Sequence, residues 1–242
     1  MTARPNDSFV GVDACSGGWF ATILSDDGVS TSLYNDFGNL VEDNGDALQV
    51  LVDIPIGLPT EERRKCDEQA KELLGCRGIT AFYPPCKNAL DSDDYKTAST
   101  AHEEAMDHGL SRQAYNIGDA IQDVAAVVGN EYDGVIRESH PELCFYALNG
   151  QPIAYSKSSE RGQAMRTQLL RNVLNGMGAV RKDAREKHHV KDVSDDDILD
   201  SMVLAVAARK TTLRTVPGAP DDNEPRIYYP EPKTGYLEAE SV

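Results

Sequence analysis

The sequence predicts an α/β fold. Its centre is a mixed five-stranded sheet, a three-stranded antiparallel meander plus parallel strands, flanked by helices and carrying an all-helical insertion. Three observations predict it. Two short apolar runs, Phe9 to Val12 and Leu48 to Val52, have the length of buried strands, and each ends on one carboxylate, Asp13 and Asp53. Turn chemistry at Gly17–Gly18 and at Asp26–Asp27–Gly28 folds the first run back on two more strands. Between residues 60 and 130 the apolar spacing is helical, broken only by a proline-rich loop.

In chain order, Phe9 to Asp13, Gly18 to Ser25 and Val29 to Asn35 form the meander. Phe37, Leu40, Val41 and Leu48 recur at roughly helical spacing, so a short helix over 37–46 carries the chain to the strand ending at Asp53. Three antiparallel strands, a helix and a further strand are the order in which an RNase H-like sheet begins. Thr60 opens a helix that runs to Gly75, with Glu61 and Glu62 in its first turn. Phe82, Tyr83, Pro84 and Pro85 require an irregular loop, and helices resume at Asp94–His108 and Ser111–Val128. Val135 to Arg137 is a brief strand, and Leu143 to Leu148 a helical turn ended by Asn149 and Gly150. Ser159–Leu174 is a helix, and Arg181 to Lys191 is a basic stretch. Ser194 to Asp197 cap a buried final helix, Ile198 to Ala208. One domain is expected over 8–215 with its insertion at about 60–130. A Pro-rich and acidic tail is expected over 216–242, in which Arg226 to Tyr229 offer an edge strand.

The chain has 242 residues and a formal net charge of −16, with a pI near 4.6. Such acidity together with regular apolar periodicity reads as a hydrated surface adapted to high salt, as in halophiles, rather than as a disordered acidic segment. No apolar run is long enough to span a bilayer, and Met1 to Asp7 lacks a signal-peptide core, so a cytoplasmic protein with no membrane partner is expected. The five cysteines include no C-x-x-C pair and read as free thiols.

Chemistry concentrates in carboxylates. Asp197 and Asp200, three apart, share one face at the start of the last helix. Asp197 reads equally as a cap, whereas Asp200, in an apolar helix, needs a partner. Asp13, Asp53, Glu142, Asp197 and Asp200 would bring five acids to one place from separate elements, and such crowding calls for Mg²⁺ or Mn²⁺, hard ions that take oxygen ligands. The chemistry is then two-metal hydrolysis of phosphodiesters, with nucleic acid, DNA or RNA, as the partner. The catalytic set is Asp13, Asp53, Glu142 and Asp200, with His140 as a proton relay or a structural residue. Arg64, Lys87, Lys157 and Arg166 are the candidates for substrate phosphate.

An ordered series of motifs supports this reading: GVDACSGGW at 11–19, VDIPIGLP at 52–59, an R-x-x-C-D pattern around Arg64 to Asp67, AFYPP at 81–85, SRQAYNI at 111–117, HPELCFYALNG at 140–150, Ser156–Lys157 and DDDILDSMVLA at 195–205. In this order the chain resembles domain-of-unknown-function family 429, often described as predicted RNase H-like nucleases. The resemblance implies an RNase H-like domain whose acidic positions are Asp13, Asp53, Glu142, Asp197 and Asp200, the last two matching the D-x-x-D helix of RuvC-like resolvases. It departs at Lys71 and Lys87, where the family pattern has arginine, and at Ala120, where it has a basic residue. Two other readings stand beside it. Ser16, Gly17 and Gly18 could cradle a phosphate, as in actin-like ATPases and sugar kinases, or the fold could be a non-catalytic interaction module.

Overall fold

Two glycine turns fold the start of the chain into the meander. In the computed structural model, which describes residues 7–233, β1 (Ser8–Cys15), β2 (Gly18–Ser25) and β3 (Gly28–Tyr34) pair antiparallel in sequence. Gly18 and Gly28 open β2 and β3 at φ of +119° and +128°, a region that residues with a Cβ rarely enter. Helix α1 (Phe37–Asp43), capped by the Asp36 side chain, crosses to β4 (Ala47–Val52), which lies parallel beside β1. With β5 (Ile136–Glu138) next to β4, the order is β3-β2-β1-β4-β5. This is the mixed five-stranded sheet expected from the sequence.

Side chains alternate across that sheet. Val10, Val12, Val50 and Val52 face one side and pack with Phe37 and Leu40 of α1 and with Ile121 and Val124. Gly11 and Leu51 face the other, against α10 (Asp195–Ala208), whose residues from Ile198 onward are all buried. A Cβ at Gly11 would overlap the backbone of Ser201 and Ala205. Only glycine therefore lets this helix lie directly on the central strand. The hydroxyls of Thr22 and Ser201, 2.8 Å apart, pin it lengthwise.

The insertion runs through α2 (Lys65–Leu74), a 3-10 turn (Gly75–Thr80), α3 (Lys87–Leu90), α4 (Tyr95–Met106), α5 (Arg112–Asn116) and α6 (Gly118–Val128). It is not a separate body. α6 covers the valine face beside α1, and α2 joins the α10 side through Cys66, Ala70 and Leu74. Cys86, Ala89, Ala98, Met106 and Ala114 of α3, α4 and α5 close a small core of their own. The helix expected from Thr60 begins instead at Lys65, because Arg64 turns its guanidinium inward onto the carbonyls of Ile56 and Gly57 and holds the preceding bend. The helix expected over Ser111–Val128 is two, separated at Ile117.

Residues 140–150 form a full helix, α7 (Pro141–Asn149), rather than a turn: His140 caps it, proline occupies its first position and Gly150, at φ +76°, ends it. α8 (Glu160–Arg171) and α9 (Met177–Lys187) follow, the latter containing most of the basic stretch. Within the expected tail, the strand offered by Arg226 to Tyr229 is β7 (Ile227–Pro230); it pairs antiparallel with β6 (Leu213–Val216), is buried, and bridges from Tyr228 to Ser139 just past β5. Residues 234–242 of that tail lie outside the described residues. Among the described residues no helix is long and apolar enough to cross a membrane.

Candidate metal centre

β4 ends beside Val12 of β1, whereas β1, expected to close on Asp13, runs on to Cys15 with Asp13 opposite Phe20. The Asp53 N–H donates to the Val12 carbonyl at 3.0 Å, and Val12 pairs with Val52, so Asp13, within β1, and Asp53, just past β4, lie on neighbouring strands about 4.8 Å apart. Each lies two residues past a position that faces α10, Gly11 and Leu51, and so both carboxylates turn toward that helix. Because Ser201 and Ala205 rest on Gly11, Asp200 stands over the strand ends. Asp53, His140, Glu142, Lys157 and Asp200 line one cleft of about 420 Å³. Asp13 is buried beside it, at 7% exposure.

The charges are unevenly matched. Glu142 is held by Arg166 and, at 3.4 Å, by Arg77, while Asp200 accepts from Lys157 at 2.8 Å. Among the described residues Asp13 and Asp53 have no ion pair, and Lys157 reaches them only through its charge. Burial pushes Asp13 well above the ordinary carboxylate range, and the charges of Asp53, Asp200 and Asp197 push it further. Asp53 is raised by burial and by Glu142 against the pull of His140 and Lys157. Asp200 is raised by burial to about 6 even though Lys157 opposes the shift. Lys157, in turn, is held in its charged form chiefly by Asp200. A pocket of hard oxygen donors with surplus negative charge suits a divalent cation.

Sequence reasoning thus brings together Asp13, Asp53, Glu142, Asp200, His140 and Lys157. Four of its expectations are corrected. Arg64 borders the cleft but is 5% exposed and donates to Asp67 at 2.8 Å and to Glu138 at 2.7 and 2.9 Å, so its guanidinium is committed to bracing the insertion against β5. Arg166, 1% exposed, is spent on Glu142 and the carbonyl of Gly162. Lys87 lines a different depression, with Leu90, Ile121 and Tyr132. The Asp197 side chain accepts from the Ser194 N–H in a capping box and acts on Asp13 only through its charge.

Sequence reasoning missed Arg77 and Glu138. An acid closing a strand just before His140–Pro141 was the one local sign of Glu138. The partnership of Arg64 with Asp67, three residues apart, was legible as R-x-x-D spacing.

Among the described residues, Cys66, Asp67 and Glu138 alone gather three donor atoms within 4.8 Å of one another. That group does not suit a cation, because the Arg64 guanidinium already occupies the space between the two acids and bonds to both, and burial keeps the Cys66 thiol protonated. The Asp13 set is more widely spaced, as expected of like charges with only Lys157 between them. The Ser16–Gly18 turn offers little to a phosphate: the Gly17 N–H donates to the Asp192 carbonyl at 2.8 Å, and the Asp192 and Leu33 side chains fill the space beside it.

A family model described as a protein of unknown function (DUF429) matches residues 11–224, nearly the whole chain. No curated protein and no solved structure matches.

Proposed function

Since the chain belongs to the DUF429 family of proteins of unknown function, whose description assigns no chemistry, the site itself has to indicate the activity, and we propose a Mg²⁺- or Mn²⁺-dependent nuclease of RNase H-like type. The observation that carries this reading is the pair Asp13 and Asp53 on neighbouring strands, near Asp200, with no ion pair of their own among the described residues and Lys157, which is paired with Asp200, acting on them only through its charge. Asp13 and Asp53 would hold the ions centrally, and Asp200 and Glu142 would complete the shell. A divalent ion there supplies Lewis-acid polarisation of a phosphoryl oxygen and lowers the pKa of bound water.

The chain's own groups do the rest. Arg166 and Arg77 fix Glu142, so its carboxylate enters the cleft in one orientation. Lys157 is half-exposed and balances Asp200, and its ammonium can move from that carboxylate to a phosphate oxygen of the substrate. The His140 Nδ1 accepts from the Glu142 N–H, which leaves the ring proton of the neutral imidazole on Nε2, available to the departing oxygen. Calorimetric titration with MnCl₂, paired with cleavage assays on single-stranded, duplex and branched DNA and RNA, tests the reading. Manganese binding and manganese-dependent cleavage, both lost in Asp13→Asn and Asp200→Asn, are expected. Wild-type protein that binds no divalent ion would overturn it.

A further inference from the structure

Next to the acidic cleft lies a pocket of opposite character. It has a volume of about 330 Å³ and is walled by Arg63, Lys71, Tyr83, His102, His108 and Ser111, with no carboxylate. In a protein of net charge −16, such a wall is a local positive potential. Its donors are organised around one another. The Arg63 Nε donates to the His108 Nε2 at 3.1 Å, and the guanidinium lies 4.1 Å from the centre of the Tyr83 ring, its terminal nitrogens having no hydrogen-bond partner among the described residues. The Lys71 ammonium, 4.7 Å from the same ring, is tied to the carbonyls of Gly78 and Ala81. His102 is 2% exposed, and its Nδ1 accepts from the Cys86 N–H at 3.0 Å. Its ring proton is therefore on Nε2, which has no hydrogen-bond partner among the described residues. A ring donor of a mostly buried histidine lining the pocket, beside a guanidinium and an ammonium, favours an anion with several acceptor oxygens.

The wall between this pocket and the acidic cleft is shared. Ile79, Phe82 and Gln113 line both, and Ile79 is 82% exposed, an apolar side chain in water at the one place where the two depressions meet. A nucleotide strand matches this sequence of surfaces: a diester at the acids, a base against Ile79 and Phe82, and the next phosphate among the cations.

We propose that the pocket of Arg63, Lys71 and His102 is a phosphate subsite for a polynucleotide strand that leaves the acidic cleft over Ile79 and Phe82. The substrate class is then a nucleic acid strand rather than a small nucleotide. This inference rests on the nuclease reading for the diester at the acids, but not for the binding of the strand.

Binding is measured by the fluorescence anisotropy of a labelled single-stranded DNA 12-mer and its RNA counterpart, with the full chain and with Arg63→Gln and Arg63→Glu, over a range of KCl. Arg63→Glu is expected to weaken binding by about tenfold or more. Arg63→Gln is expected to flatten the plot of log affinity against log salt by about 0.7, the signature of one lost phosphate contact. In parallel, hydrolysis of the oligonucleotide and of bis(p-nitrophenyl) phosphate is followed with Mn²⁺. The ratio of the two kcat/KM values is expected to fall about tenfold in Arg63→Glu. Arg63 is exposed, and circular dichroism of both variants verifies folding. If wild-type protein cleaves neither substrate but binds the strand through Arg63, the nuclease reading fails and the subsite stands. Equal affinities and salt slopes in wild type and both variants, or no binding by wild type, would overturn the subsite.

Discussion

Asp13 carries its charge into a place where burial and three neighbouring aspartates oppose it. Asp13→Asn should therefore raise the melting temperature of the metal-free protein, while abolishing the thermal shift that MnCl₂ gives the wild type. Differential scanning fluorimetry with EDTA and with Mn²⁺ reads both effects. The pH dependence has a definite sign. Asp200 titrates at about 6 in the folded protein against 3.8 as the ordinary value, and Asp13 and Asp53 are raised as well. The folded state then binds more protons than the unfolded chain between those values. The contribution of these groups to stability is present below the lower value and lost as pH rises through about 6. Cation binding expels the same protons, so the stabilisation by Mn²⁺ should be larger at about pH 8 than at about pH 5.

Arg64 is the opposite case, a buried cation matched by two acids; Arg64→Met strands Asp67 and Glu138 and should cost about 3–5 kcal/mol in urea denaturation. Asp13 and Asp53 were legible because a charge that closes an apolar run has few places to point, although β1 itself continues past Asp13 to Cys15. The inward turn of Arg64 was not, since Glu138, its partner, lies 74 residues away and no local pattern links the two.

Gly11 governs the contact between β1 and α10 that shapes the site. Gly11→Ala would press a methyl into the α10 backbone at Ser201 and Ala205, where no side-chain rotamer can relieve the overlap. A loss of about 2–4 kcal/mol is expected, together with weaker Mn²⁺ binding as Asp200 withdraws from Asp13; calorimetric titration separates the two effects. The strands and α10 were readable because their burial is continuous or strictly alternating and their ends carry glycine turns and a capping serine. The start of α2 was misread because Thr60, Glu61 and Glu62 have helix-opening chemistry that the tertiary pull on Arg64 overrides. The division at Ile117 left no trace in an apolar stripe that continues across it. β7 was legible in the apolar Ile227 to Tyr229, whereas its partner β6, four residues long, is too short for period-two alternation to stand out.

At the scale of the whole molecule, the net charge of −16 opposes compaction, because like charges repel over several ångströms in dilute salt. At 1 M the screening length falls to about 3 Å, so the melting temperature should climb steeply between about 0.1 and 1 M KCl. A flat profile would remove the reading of the surface as salt-adapted. The ribbon of β6 and β7 acts at the same scale. Its bridge from Tyr228 to Ser139, together with the Ser139 hydroxyl donating to the Tyr228 carbonyl, occupies the backbone where β5 gives out. Unclosed sheet margins recruit foreign strands. A chain cut after residue 215 would uncover that margin along with the apolar bed of Tyr228 and Tyr229, and the first symptom would be self-association in the flask rather than a change in any assay.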